Sequence, residues 1–261
     1  MNILAAGAHP DDIELGCGGL ILKAVRSGHK VFMYTLTRGA ASGDPQMRTR
    51  ELIESSQFVR ADTLWVDNFE DTQLSVSPDL INHIEFIIKK SQADIVITHS
   101  LTDTHHDHRA VAASTIEAGR NIPNIMAYEI PLTKDFKPQI FYDISDVVDE
   151  KVKLLTIFRS QHDKLYLKAN AIKGLAEYRA LQSRLNRKIS YMNPLNDGDA
   201  YNAVEAFEVL KVCIDDGFKL WNNFPRQLIH SEPTIHRQAE ILEIVDKGSY
   251  SKMVYNNNND V

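Results

Sequence analysis

Residues 1–37 read MNILAAGAHPDDIELGCGGLILKAVRSGHKVFMYTLT, and this stretch decides the fold. Asn2 to Ala8 is a short apolar run without helical spacing. Lys30 to Thr37 is a second run, rich in the β-formers Val31, Phe32, Tyr34 and Thr35, and both read as buried strands. Between them, Glu14 to Ser27 places Leu15, Leu20, Ile21, Ala24 and Val25 at helical intervals and stops at Gly28, where a helix C-cap glycine is expected. A strand, a helix and a strand in this order predict a βαβ unit with parallel strands.

The pattern continues along the chain. A helix is expected over about Gln46 to Val59, a short strand at Thr63 to Val66, and a helix from Pro78, in its first turn, to Lys90. Asp94 to Thr98 reads as a strand and His108 to Arg120 as a helix, with extended pieces near Ile125 to Ile130 and Gln139 to Ile144. This alternation predicts an α/β fold, a Rossmann-like three-layer α/β/α arrangement with a mostly parallel central sheet. Functional residues then belong in loops beyond the carboxyl ends of the strands. From Ser145 helical spacing takes over, through Val147 to Phe158 and Leu165 to Leu185. A loop with turn signals at Asn193, Pro194, Asp197 and Gly198 follows, and then an extended segment, Phe207 to Ile214. Ser231 before the run Ile235 to Val245, closed by Gly248, predicts a capped terminal helix. The expected organisation is one domain over 1–214, a helical C-terminal extension over 215–254, and an unfolded polar tail over 255–261. The extension, with Trp221 and Phe224, either packs on the core or forms a subunit contact in a homo-oligomer; the sequence leaves both open.

The chain has 261 residues, 43% hydrophobic and 25% charged, which suits a soluble globular protein with a sizeable core. A net charge of −6 with no basic run argues against nucleic acid as a partner. No charge-free stretch is long enough for a membrane span. The first apolar run is too short for a signal peptide. Two cysteines, Cys17 and Cys213, suggest no disulfide framework, so a cytoplasmic location is the expectation.

Two clusters carry chemistry. His9-Pro10-Asp11-Asp12 follows the first strand and opens the first helix; His9 and Asp12 form a donor mixture suited to zinc, and Pro10 stiffens the turn. Asp11 stands beside them without being needed as a ligand. Read alone, the cluster is equally a turn whose Asp12 caps the helix. The second cluster, Asp103-Thr104-His105-His106-Asp107-His108, also follows a strand and stands at a helix start, and it holds three of the ten histidines within four positions. His105 lies one turn before His108, so one can bind a metal while the other faces substrate. Asp107 is placed to hydrogen-bond a histidine and fix its tautomer. Three protein ligands, His9, Asp12 and His108, leave one zinc ion an open position for water, the mark of a catalytic site suited to hydrolysis.

These two stretches resemble the zinc-dependent N-deacetylases of the PIG-L or LmbE-like group, whose signature is Ala-His-Pro-Asp-Asp at a strand end and, later, His-x-Asp-His. Here they are Ala8-His9-Pro10-Asp11-Asp12 and His105-His106-Asp107-His108. Weaker matches extend through Thr37-Arg38-Gly39, Arg48 with Glu51, Asp71-Thr72-Gln73-Leu74, Asp143-Ile144-Ser145, Lys151, Ser160-Gln161 and Glu205-Ala206-Phe207, covering roughly four-fifths of the chain. The resemblance implies that His9, Asp12 and His108 hold zinc and that Asp11 is the general base. It implies that a protonated His105, partnered by Asp107, stabilises the oxyanion. It implies a substrate-binding arginine at the start of the second helix, Arg48 or its rival Arg50, and a substrate-binding role for Asp71 near the site, although Thr72 replaces the glycine that commonly follows. The implied substrate is a small amino-sugar conjugate of the N-acetylglucosamine type, deacetylated to acetate and a free amine.

Gly16-Cys17-Gly18-Gly19 lacks the glycine spacing of a dinucleotide-binding loop and is expected to serve close helix packing. His99 ends a strand on the rim and is a candidate for the pocket wall. Two other readings compete: a dinuclear metallo-hydrolase of the metallo-β-lactamase-like kind, which one metal per chain would disfavour, and a non-catalytic sugar-binding or metal-binding module, against which Asp11 argues.

Overall fold

The computed structural model describes residues 1–183 and 202–213, and the backbone of 242–246 and 249–253. The chain runs β1 (Asn2–Gly7), α1 (Asp12–Arg26), β2 (Lys30–Thr37), α2 (Pro45–Val59), β3 (Thr63–Phe69), α3 (Pro78–Ser91), β4 (Ile95–His99), α4 (His106–Ala118), β5 (Asn124–Tyr128), β6 (Ile140–Asp143), α5 (Val148–Leu155), α6 (Ala169–Ser183), β7 (Val204–Lys211), β8 (Leu242–Asp246) and β9 (Ser249–Met253). One sheet holds all the described strands in the order β6-β7-β5-β4-β1-β2-β3-β8-β9. The run β5-β4-β1-β2-β3-β8 is parallel; β6, β7 and β9 pair antiparallel.

Alternation along the strands splits the apolar residues between the two faces of the sheet. Ile3, Ala5, Val31 and Met33 pack with α1, α2, α5 and α6 through Leu20, Leu52, Leu154 and Ile172. Leu4, Ala6, Tyr34 and Leu36 pack with α3 and α4 through Ile84, Ile87 and Val111. This is the expected three-layer α/β/α fold. The strand order reverses between β1 and β4, which pair directly, and a crevice opens at such a switch point, outside the carboxyl ends of the strands.

The glycines of α1 serve close packing, as expected. A Cβ on Gly16 would run into the Tyr128 ring, and one on Gly19 would stand 2.6 Å from Ile144. The helix breaks step at Cys17 (φ −139°, ψ 23°). The amides freed there, Gly19 N and Leu20 N, each donate to the Glu205 carboxylate at 2.7 Å, and Lys151 Nζ meets the same carboxylate at 2.7 Å.

One expectation is corrected. The terminal helix over Ile235 to Val245 is not what forms at its described end: Leu242–Asp246 is a strand parallel to β3, and β9 turns back on it. A β-branched, apolar run is compatible with either period, and the open edge of β3 supplies the hydrogen-bond partners that decide for a strand. The loop at 193–198, the remainder of that helix and the tail at 255–261 lie outside the described residues.

Candidate metal centre

His9 leaves the end of β1 and the second cluster leaves the end of β4, so the two flank the switch point. Asp11 is the residue before α1 and takes φ 100°, a left-handed conformation uncommon for a non-glycine. Asp12 is the first residue of the helix. His105 caps α4, its Nδ1 accepting from Asp107 N at 3.2 Å, and His108 lies in the first turn.

Three donor atoms converge. His9 Nδ1 lies 3.1 Å from His108 Nε2 and 3.3 Å from Asp12 Oδ2, and His108 Nε2 lies 3.5 Å from Asp12 Oδ2. Tetrahedral ligands at zinc-to-nitrogen distances stand about 3.3 Å apart. The far nitrogens also face carboxylates. His9 Nε2 is 3.0 Å from Asp71 Oδ1 and 3.1 Å from Asp107 Oδ2, and His108 Nδ1 is 3.0 Å from Asp103 Oδ1, an ion-pair approach rather than an aligned hydrogen bond. A carboxylate on the outer nitrogen keeps the proton there and turns the inner lone pair toward the triangle, as a histidine that binds a metal requires. The donor set therefore fits a zinc ion.

Burial tends to lower the pKa of His9, yet Asp107, Asp12 and Asp71 outweigh it and hold the imidazole well above its usual value. Burial pushes Asp11 up to about 7, against the Arg48 guanidinium and with the help of Asp12. Asp71 is held at about 2: burial opposes this, but bonds from His9 and from Ala41 N prevail.

The structure redistributes several expected roles. The Asp107 carboxylate does not partner His105; it faces His9 and accepts from Thr72 N at 2.8 Å and Leu74 N at 3.0 Å. What His105 receives from Asp107 is the main-chain N–H. That bond occupies Nδ1, so the neutral ring carries its proton on Nε2. Burial, with the charges of His108 and His9, lowers the pKa of His105 from its ordinary value. Arg48 is buried, and its guanidinium donates to Pro10 O at 2.6 Å, Gly39 O at 3.0 Å and Ser42 Oγ at 2.5 Å, with Asp11 Oδ2 at 3.4 Å. It braces the loop that carries Asp11. Arg50 is exposed, about 200° around α2 from Arg48. Asp71, expected on the substrate side, backs His9 instead.

His99 does not line a pocket. It is fully buried behind the triangle, its ring stacked on His108 at 4.0 Å and 7°, and its Nε2 lies 3.2 Å from Asp12 Oδ2 and 3.1 Å from Tyr128 Oη. Burial and the neighbouring His108 bring its pKa down to about 4. Asp103 as the partner of His108 is not legible in the sequence, although it stands in the same cluster, because no period marks a contact between a loop and a helix.

The profile described as GlcNAc-PI de-N-acetylase, PIG-L, matches residues 4–119, which contain both clusters. A protein named uncharacterized deacetylase YaiS, from Escherichia coli K12, is 34% identical over 153 residues, 56% of this chain and 83% of that one. The diacetylchitobiose deacetylase of Thermococcus kodakarensis is 27% identical over 186 residues, 61% of this chain and 70% of that one. Among solved structures, a conserved protein of Thermus thermophilus superposes with a TM-score of 0.68 at 23% identity, covering 82% of this chain and 96% of that one. GalB of Pseudomonas putida KT2440, a 4-carboxy-2-hydroxymuconate hydratase, gives 0.66 at 18% identity, covering 82% and 98%. A hydratase on the same fold shows that the architecture does not dictate the reaction. What the matched segment and the YaiS identity do establish is kinship: the chain belongs to the PIG-L, or GlcNAc-PI de-N-acetylase, family.

Proposed function

We propose that this chain removes the acetyl group from an N-acetylated amino-sugar conjugate, releasing acetate and a free amine, with one zinc ion held by His9, Asp12 and His108. The observation that carries the reading is the triangle of donors 3.1–3.5 Å apart, with an additional buried carboxylate, Asp11, beside it. The amino-sugar class follows from the family description and from the relatives named deacetylases. Zinc, when bound, supplies a Lewis acid that polarises a carbonyl and acidifies water.

The remaining work falls to side chains. Asp11 takes a proton from the attacking water on its carboxylate and passes it to the leaving nitrogen. A carboxyl raised toward neutrality by burial suits both steps. His105 donates from Nε2 to the amide oxygen as that oxygen gains charge, and such a donor is typically worth ~3 kcal/mol. Arg48 keeps Asp11 in place through Pro10 O, while Asp71, Asp107 and Asp103 hold the two ligand imidazoles in orientation.

The test is acetate release over a panel of N-acetylated amino sugars and their conjugates, with metal content measured on the same samples. Expected are one metal per chain, loss of acetate release on chelation, recovery with zinc, and an Asp11→Asn variant that keeps the metal but not the activity. Acetate release that survives complete metal removal, an active Asp11→Asn variant, or no acetate from any compound overturns the reading. Two metals per chain would favour a dinuclear hydrolase.

A further inference from the structure

His106 stands at the unspecified position of the His-x-Asp-His cluster and has no part in the chemistry above. It is exposed, and its ring stacks on His105 with centroids 5.1 Å apart. Its Nε2 lies 2.8 Å from Thr72 O and 3.0 Å from Asp107 Oδ1. A carbonyl only accepts, so Nε2 carries a proton and donates it to Thr72 O. The next residue holds the other side of the same turn: Asp107 accepts from Thr72 N at 2.8 Å and from Leu74 N at 3.0 Å. The start of α4 therefore grips residues 72–74 at three main-chain atoms. Of these three bonds, the one from His106 holds the carbonyl.

The grip imposes a shape. Thr72 takes φ 67°, a left-handed conformation that is unfavourable for a β-branched residue and freely adopted by glycine. A residue keeps such a conformation only where its surroundings hold it there. Here it turns the N–H and the C=O of Thr72 to adjacent side chains of one helix, Asp107 and His106. The residue before it, Asp71, brings one oxygen to within 3.0 Å of His9 Nε2 and gives the other to Ala41 N at 2.8 Å. The backbone of Thr72 and the carboxylate that orients the His9 ring are thus one peptide bond apart.

We propose that His106 is a positioning residue for the metal centre: by donating to Thr72 O it holds the 71–74 turn in its strained form and so keeps Asp71 on the outer nitrogen of His9. This rests on the reading of His9 as a zinc ligand. Without the donor, Thr72 relaxes out of the left-handed region and the Asp71 carboxylate moves with it. His9 then keeps Asp107, 3.1 Å away, as its remaining carboxylate, so the loss is partial. A glycine at position 72 removes the need for the hold, because it enters the left-handed region without strain.

The experiment measures zinc affinity by competition with a chelator in wild type, His106→Ala, His106→Gln, Thr72→Gly and the double variant Thr72→Gly/His106→Ala. The visible spectrum of the cobalt(II)-loaded chain reports the geometry at the ligands. Proton NMR of the metal-free chain follows the His9 imidazole N–H bonded to Asp71, assigned by its absence from His9→Asn. His106→Ala is expected to weaken zinc about 3- to 10-fold, less than the roughly 10- to 100-fold of a lost direct partner, and to change both spectra. His106→Gln, whose amide can donate to the same carbonyl, is expected to restore affinity and spectra. With Thr72→Gly in place, adding His106→Ala is expected to change affinity by less than about twofold. Unchanged affinity or an unchanged cobalt spectrum in His106→Ala, no recovery in His106→Gln, or an equal loss with and without Thr72→Gly overturns the proposal and leaves the zinc reading standing. If the wild type binds neither zinc nor cobalt, the zinc reading fails and NMR decides. Loss of the His9 signal in His106→Ala with its return in His106→Gln then upholds the hold on His9, and any other pattern overturns it.

Discussion

Replacing Lys151 with Met tests what holds α1 to the antiparallel edge of the sheet. Glu205 and Lys151 are both buried, and the carboxylate takes Lys151 Nζ, Gly19 N and Leu20 N, all at 2.7 Å. In Lys151→Met the carboxylate keeps its two amides and loses its counter-charge in a low-dielectric setting. Breaking one side of a buried pair costs about 3–5 kcal/mol. For a chain of this size each kcal/mol is worth roughly 2–4 °C, so the melting temperature should fall by roughly 6–20 °C. Glu205→Ala should cost more, because it leaves a buried ammonium and also two shielded amides, each about 1–3 kcal/mol. Adding Glu205→Gln to Lys151→Met neutralises the site while keeping an amide acceptor, so the double variant should be more stable than Lys151→Met alone. The assay is urea unfolding of the zinc-loaded chain, followed by circular dichroism and checked by thermal melting. A Lys151→Met variant within about 1 kcal/mol of wild type, or a double variant that recovers nothing, would refute the argument that this ion pair clamps the broken helix.

Asp103→Asn should weaken zinc binding about 10- to 100-fold in competition with a chelator, because His108 loses the charge on its outer nitrogen; unchanged affinity would remove Asp103 from the centre. Burial holds the Glu14 carboxyl up at about 8, against a bond from Ser55. A folded value raised above 4.5 contributes stability that is complete below 4.5 and lost as pH rises through about 8. Glu14→Gln does not titrate, so its stability relative to wild type should rise with pH across that window; parallel unfolding profiles would contradict this.

Much of this is legible in the sequence because it lies in short contiguous patterns. The run Asn2–Gly7 is apolar on both faces as a central parallel strand must be, and both donor clusters sit at the strand ends where an α/β sheet presents its crevice. What stays hidden depends on direction. Asp107 is two residues from His105 in sequence and reads as its partner. At a helix start, however, the i to i+2 contact is made by the amide, and the carboxylate swings to His9, 98 positions away. The family resemblance makes Arg48 a ligand for substrate; only the folded loop reveals that Pro10 O, Gly39 O and Ser42 Oγ occupy it first. The strand at 242–246 reads as helix because a short apolar run has no period of its own to oppose one, and the choice rests with a neighbouring edge.

The centre depends on register more than on any single donor. His9 and Asp12 follow β1 while His108 follows β4, and these strands pair Ile3 with Ile95, Leu4 with Val96 and Ala5 with Ile97. A slip of one residue would move one cluster about 3.3 Å along the other, as far as the donor atoms now stand apart, and would also exchange the two buried faces of the strand. The apolar side chains of β1, divided between the two layers, oppose that slip. Core packing and the convergence of the three donors are thus one constraint, and the donor triangle can be built from separate stretches of chain because the sheet allows them a single alignment.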